Sequence, residues 1–363
     1  MQQPVPYTPD LETPKPDERE VIDGLQAALA EIMTITATDS GRAMRSVHAK
    51  VHAYLVGTLT IASNLPPELA QGLFARPGAH PAILRVSTNP GDILPDAVSL
   101  PRGIGLKVLD VEGARLPGAE GQSQDFLMVN GPVFTAATPD KFLSNLKLLA
   151  KTTDRVEWAK VALSRVLRGT EKALEAVGGS STTLQSLGGA PNVHPLGETY
   201  FTQVPFRHGD FVAKYSLKPV SESLTQFTGV EIDARGKPDA IREAMDFDTQ
   251  KARMTWELRV QLLRNPDTMP VEDPSVAWPE AESPWQIVAT LTVEAQPSFD
   301  DKRARLADDK LRFSAWTGLA AHQPLGAINR ARRDAYEMSA SFRSRFNRCP
   351  IHEPQDAGIA DQS

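Results

Sequence analysis

Cysteine is nearly absent: Cys349 is the only one in 363 residues. A single thiol makes no intramolecular disulfide and no Cys-rich zinc site, and it fits a reducing compartment. No apolar run approaches the roughly 18 residues that a membrane-spanning helix needs. The start, Met1-Gln-Gln-Pro-Val-Pro-Tyr-Thr-Pro9, lacks the basic residues and apolar core of a secretion signal. A soluble, cytoplasmic protein is therefore expected. Positive charge is also scarce. The net charge is −6 and no Lys-rich tail is present, which argues against nucleic acid as the main partner. The chain has no internal repeat, no regular strand–helix alternation and no Gly-x-Gly-x-x-Gly, so a Rossmann domain is not expected.

Apolar residues make up 41%, enough for a sizeable core, and the length allows one large domain or two ordinary ones. Residues 1–17 carry Pro4, Pro6, Pro9, Pro14 and Pro16 and read as an extended arm, disordered or docked on a partner subunit of a homodimer. A single domain is expected over residues 18–350, followed by a polar tail, 351–363. A helix is expected from Glu18 to about Ile35. Val47 to Ile61 then alternates as a strand, with His48 and His52 on one face. Ala82–Thr88, Ile104–Val111 and Gln124–Val129 are shorter strands between Pro/Gly/Asp turns. Thr138-Pro139-Asp140 opens a helix to about Ala150. A second helix is expected from Asp154 to about Val177, with Trp158 packing on it, then a loose connection from Gly178 to near Leu196. Tyr200–Phe206 and Phe211–Pro219 form a hairpin in which Phe201 and Phe206 pack the core. Met254–Arg264 and Gln286–Glu294 are the last strands, with a helix at Pro238–Asp248 before them and a final one at Pro324–Phe346. This order predicts an α+β protein: an antiparallel, eight-stranded β-barrel surrounded by helices.

The final helix holds the most informative residues. At about 100° per residue, Tyr336 lies roughly 40° and Arg343 roughly 20° around the axis from Arg332. A guanidinium beside a phenol favours the phenolate, and a phenolate is an axial ligand for haem iron. Arg343 would reach a haem propionate bidentately. The plainer alternative is a solvated basic face carrying one Tyr. Elsewhere, His48 and His52 do not by themselves make a metal site, because further ligands are not visible nearby. Arg85 and Ser87 point the same way on their strand.

Taken in order, these segments resemble the haem-dependent catalase superfamily, in particular its short, single-domain catalase-like peroxidase branch. Arg45-x-Val47-His48-Ala-Lys looks like the catalase distal His motif, and Arg85-x-Ser87-Thr like the strand that follows it. Pro101-Arg-Gly-Ile-Gly-Leu-Lys107 looks like the next strand, and Asn130 with Pro132-Val-Phe134 like the distal Asn segment. Arg332-x-x-x-Tyr336 with Arg343 seven residues on has the spacing of the proximal helix. The resemblance implies haem b buried between barrel and proximal helix. It implies that His48 exchanges protons with bound peroxide, Ser87 fixes its tautomer and Asn130 orients the peroxide. It further implies that Tyr336 is the phenolate ligand and metal contact, with Arg332 holding it deprotonated. Arg45, Arg85 and Arg343 would pair with propionates, Val47 would press on the haem face, and Phe134 would wall the distal pocket.

Three departures stand against this pattern. The chain is shorter than a full catalase, which would open haem access to organic hydroperoxides. Full catalases carry two consecutive Asn, the first catalytic, whereas Asn130 is here followed by Gly131 and Pro132. Read without a gap, Val129 takes the catalytic position; a one-residue deletion gives it to Asn130, and that alignment is adopted. Glu337-Met-Ser replaces the usual Pro-Asp-Thr after the tyrosine. The expected function is a haem peroxidase acting on hydroperoxides with an unknown reductant, with catalase activity possible. Alternatives are rearrangement of fatty-acid hydroperoxides, as in the allene oxide synthase relatives of catalase, which carry Thr where Val47 stands, and a non-catalytic haem-binding barrel.

Overall fold

The computed structural model describes residues 2–91, 93–150 and 191–360. Its strands are β1 (Val51–Ile61), β2 (Gly78–Thr88), β3 (Arg102–Val108), β4 (Gln124–Val129), β5 (Tyr200–Phe201), β6 (Phe206–His208), β7 (Phe211–Pro219), β8 (Met254–Leu262) and β9 (Gln286–Val293). They form one antiparallel sheet in the order β5-β4-β3-β2-β1-β9-β8-β7-β6. A further pairing, Tyr200 with Leu217 and Phe201 with Ser216, joins β5 to β7 and closes eight strands into a barrel. Strand β6 hairpins back onto β7. Closure removes the exposed edges that an open sheet would present. The expected α+β barrel is the observed architecture.

Strict alternation sorts the side chains. On β2, Leu84 and Val86 point into the barrel and join Leu55, Leu106, Phe126 and Trp256 in the main core, while Arg85 and Ser87 point outward. Outside the barrel, α1 (Glu18–Ser40), α2 (Pro139–Ala150) and α5 (Ala327–Phe346) share a second core built from Leu25, Leu29, Leu146 and Ala331. Helix α3 (Ala240–Thr249) packs on β1. Helix α4 (Asp301–Lys310) covers the outer face at Tyr54 and Ile83 through Ala304 and Ala307.

Several boundaries differ from those expected, each for a local reason. The first strand starts at Val51 and not Val47, because His48 adopts φ 55° and a left-handed residue cannot continue a strand. His48 and His52 therefore do not share a strand face; His52 is buried and bonds Thr88 Oγ1 at 2.6 Å. The Tyr200–Phe206 segment breaks into β5 and β6 at Gln203, which has φ 63°. Helix α1 runs on to Ser40 and stops at Gly41, whose φ of 67° suits a C-terminal cap. Helix α4 has no counterpart in the sequence expectations: Asp-Lys-Arg-Ala-Arg-Leu-Ala-Asp-Asp-Lys shows almost no apolar stripe, and only Ala304 and Ala307 are buried. Its start is capped by Asp300, which accepts from Arg303 N at 2.9 Å. The arm is held by its own chain: Val5 N donates to Leu263 O and Tyr7 N to Asp210 O. Arg330 gathers Glu12, Glu18 and Glu272. Near the C-terminus, Glu353 is a buried partner of Lys107, so the tail begins as part of the packed structure. The helix expected at Asp154–Val177, with Trp158, and the connection from Gly178 to residue 190 lie outside the described residues.

Candidate active site

Strands β2, β3 and β4 present two outward rows to helix α5. Ser87 pairs with Gly103 and Gly103 with Val129; Arg85 pairs with Gly105 and Gly105 with Leu127. Tyr54 of β1 extends the second row beside Arg85. The two glycines have no side chain, and aromatic rings take the space. The His48 imidazole rests on Gly103, where an added Cβ would sit 2.7 Å from Nδ1. Phe313 rests on Gly105, where a Cβ would sit 2.7 Å from Cδ1. Glycine inside a strand is thus the condition for close approach.

Between this face and α5 lies a cavity of about 420 Å³. Its lining brings together Val47, His48, Ser87, Arg332 and Tyr336, with Arg45, Arg85 and Arg343 among its walls. These residues span nearly 300 positions of sequence. His48 Nδ1 lies 3.3 Å from Ser87 Oγ. In the tautomer that donates from Nδ1 to Ser87, Nε2 keeps its lone pair for proton uptake. Burial, then the positive charges of Arg85, Arg332 and Arg45, lower the imidazole to about 3. It is neutral at physiological pH, as a general base must be before it acts.

Three of the arginines converge on Asp308, two of them on its carboxylate. Arg45 pairs with Asp308, and Arg85 approaches it at 3.6 Å. Tyr54 accepts from Arg85 Nε at 3.0 Å and donates to Asp308 Oδ1 at 2.7 Å. Arg343 donates to the Asp308 carbonyl, but its buried Nε has no partner. Burial pushes the Asp308 carboxyl up, yet Arg45, Arg85, the Tyr54 hydroxyl and Arg343 outweigh it and bring the group down to about 2. Burial and Arg45 push the Arg343 guanidinium down to about 9. A guanidinium keeps its proton at physiological pH, so this cluster holds two positive charges more than Asp308 neutralises.

On α5, Arg332 and Tyr336 both face the cavity. The Arg332 guanidinium lies 5.6 Å above the Phe134 ring and 3.5 Å from Asn329 Oδ1. Trp316 seals the neighbouring wall by donating from Nε1 to Asn329 O at 2.8 Å. Two expected residues stand elsewhere. Asn130 does not line the cavity: its Oδ1 accepts from Arg102 N at 2.8 Å and its Nδ2 donates to Glu198 at 3.0 Å. Val129, in register with Gly103, occupies the wall instead, as in the ungapped alignment. Phe134 packs edge-on to Phe142 outside the lining. Asp308, Tyr54 and Phe313 belong to the site without having been singled out from sequence. Gly103 and Gly105 carried a usable signal, since glycine within a strand marks close approach. Asp308 carried none, because Arg45 and Arg85, which meet its carboxylate, lie more than 200 residues away.

The fold is that of the catalases. A fungal catalase superposes with a TM-score of 0.60 at 16% identity, covering 87% of this chain and 63% of that one. Catalase A from Saccharomyces cerevisiae gives 0.61 at 16%, covering 99% and 70%. A bacterial catalase gives 0.59 at 16%, covering 96% and 66%. The chain thus spans about two thirds of the length of these proteins. No protein-family model matches the sequence, and no curated protein matches it.

Proposed function

We propose that this chain is a haem-dependent peroxidase that reduces hydrogen peroxide and organic hydroperoxides, with haem b held between the β2–β4 face and α5. The observation that carries this reading is the convergence of His48, Ser87, Tyr336 and the three arginines on one cavity. The residues fit the group in charge and polarity. Val47, Leu127, Val129 and Phe313 supply apolar walls for a macrocycle. The two uncompensated charges of Arg45, Arg85 and Arg343 match two propionates, and Arg343 Nε is a buried donor awaiting an acceptor. Tyr336, which lines the cavity one helical turn after Arg332, would hold the iron. Bound haem would supply the oxidation chemistry that side chains lack.

The chain's own part is proton handling. His48 takes the hydroperoxide proton and returns it to the departing oxygen, and Ser87 holds the ring in the competent tautomer. With the Asn130 amide engaged by Arg102 and Glu198 and outside the lining, Val129 takes its place in the wall. Hydrogen peroxide loses more from that missing partner than an alkyl hydroperoxide, whose carbon chain gains from apolar burial. This supports peroxidase over catalase as the main activity. The test is the visible spectrum and peroxide turnover of haem-loaded protein. Tyr336→Phe should change or abolish the Soret band, and His48→Ala should keep haem while losing about 10²- to 10⁴-fold in turnover. A Soret band indifferent to Tyr336 would sink the proposed ligand. Turnover of a lipid hydroperoxide to a rearranged product with no reductant consumed would favour the allene-oxide-type reaction.

A further inference from the structure

A second cavity, of about 280 Å³, lies against α4. Arg45 and Arg343 line both cavities, whereas Arg42, Arg242, Arg305 and Asp308 line only this one. Its walls carry five guanidiniums against two carboxylates, Asp301 and Asp308. Two of the five have partners outside the lining: Arg42 meets Asp309 at 2.8 Å, and Arg242 meets Asp239 at 3.3 Å. Asp239 is itself shared with Lys50. Arg305 is exposed and makes no ion pair among the described residues, and Arg343 brings its buried, unpartnered Nε. Even when every one of these carboxylates is counted, positive charge remains in excess.

The rest of the lining is apolar. Met44, Val51, Ile93 and Phe299 contribute, and Ile93 is 46% exposed although it is a large hydrophobic residue. The Phe299 ring carries the Arg242 guanidinium 4.0 Å from its centroid, which fixes that cation at the wall. A bare inorganic anion would satisfy the guanidiniums and leave these surfaces wet. A neutral apolar molecule would cover them and leave the charge unmet. We infer that the second cavity binds a small organic carboxylate with an apolar body. Its carboxylate pairs with the guanidiniums and its body rests on Met44, Ile93 and Phe299. The inference does not depend on peroxide chemistry; Arg45 and Arg343 are shared with the proposed haem site, and Arg42, Arg242 and Arg305 are the guanidiniums that this cavity has to itself.

Isothermal titration of the full chain with benzoate tests it, with benzamide and inorganic phosphate as matched controls. Arg305→Glu and Ile93→Asp are the variants. Both side chains are exposed and neither lines the first cavity, so the barrel and the first site should be undisturbed. Benzoate should bind at least tenfold more tightly than either control, and each variant should lower its affinity at least tenfold. Benzoate binding no tighter than benzamide or phosphate would overturn the assignment. So would tight binding unchanged in both variants, which would mean that benzoate occupies another place.

Discussion

At the scale of single residues, Gly103 decides how near His48 can come to the barrel. Any side chain there meets the imidazole, and His48 cannot retreat easily because its φ of 55° already holds it in a narrow conformation. Gly103→Ala should displace the ring by a fraction of an ångström to about 1 Å, and a shift of that size costs on the order of 10²-fold in rate. The expected result is peroxide turnover reduced on that order with the Soret band retained; full turnover would show that His48 is not the proton carrier. That Arg85 and Ser87 point the same way was legible from the period-two pattern; that this way is outward was decided by the barrel. The direction of Asn130 was not. A slip of one residue reverses every side chain of a strand, and only the pairing of Val129 with Gly103 shows that Val129, and not Asn130, faces the cavity.

At the scale of elements, the wall that carries Phe313 is pinned to the sheet by buried charge. Lys107 on β3 sits between Asp125 of β4, at 2.8 Å, and Glu353 of the C-terminal segment, at 2.7 Å. Asp125 accepts from Ser314 N, and Arg312 bonds Glu353 at 2.9 Å. Burial is the largest influence on Asp125 and, with the nearby Glu353 charge, drives it upward against the pull of Lys107. Lys107→Met would leave two buried carboxylates facing one another without their cation. A loss of about 3–5 kcal/mol is expected, read from urea unfolding; a change below about 1 kcal/mol would mean that the network is compensated by solvent. The amphipathic stripe of α5 was legible from spacing alone, whereas α4 was not. Its apolar residues are Ala304, Leu306 and Ala307, of which only the alanines are buried, and it is held by the barrel face that it covers.

At the scale of the whole molecule, a hydrogen-bonded chain inside the barrel ties distant segments together. Leu73 N donates to His322 Nε2 at 2.9 Å, so Nδ1 carries the proton and donates to Tyr215 Oη at 2.9 Å. Tyr215 in turn donates to His208 Nδ1 at 3.0 Å, and His208 Nε2 donates to Leu69 O at 3.1 Å. Every group is satisfied only while both imidazoles are neutral. Burial lowers His208 to about 4; burial and the neighbouring His208 lower His322 to about 3. Below the unfolded value near 6.5, the unfolded chain takes up protons that the native barrel refuses. The stability these two groups contribute is therefore present above about pH 6.5 and lost as pH falls towards 4, by up to about 1.4 kcal/mol per pH unit for each histidine. Urea midpoints measured between pH 7 and pH 4.5 should fall steadily, and a flat profile would refute the neutral chain.

The sequence alone determined most of the elements, their antiparallel β-rich class and the order of the His, Ser, Arg and Tyr motifs. Those depend on local periodicity, turn chemistry and spacing along a helix, which act within a few residues. Tertiary structure alone decided that Asn130 turns away and Val129 faces the cavity, that Asp308 gathers Arg45, Arg85 and Arg343, and that Glu353 closes on Lys107. Each of these depends on strand register or on charges brought together from positions tens to hundreds of residues apart, and no short-range pattern records such a meeting.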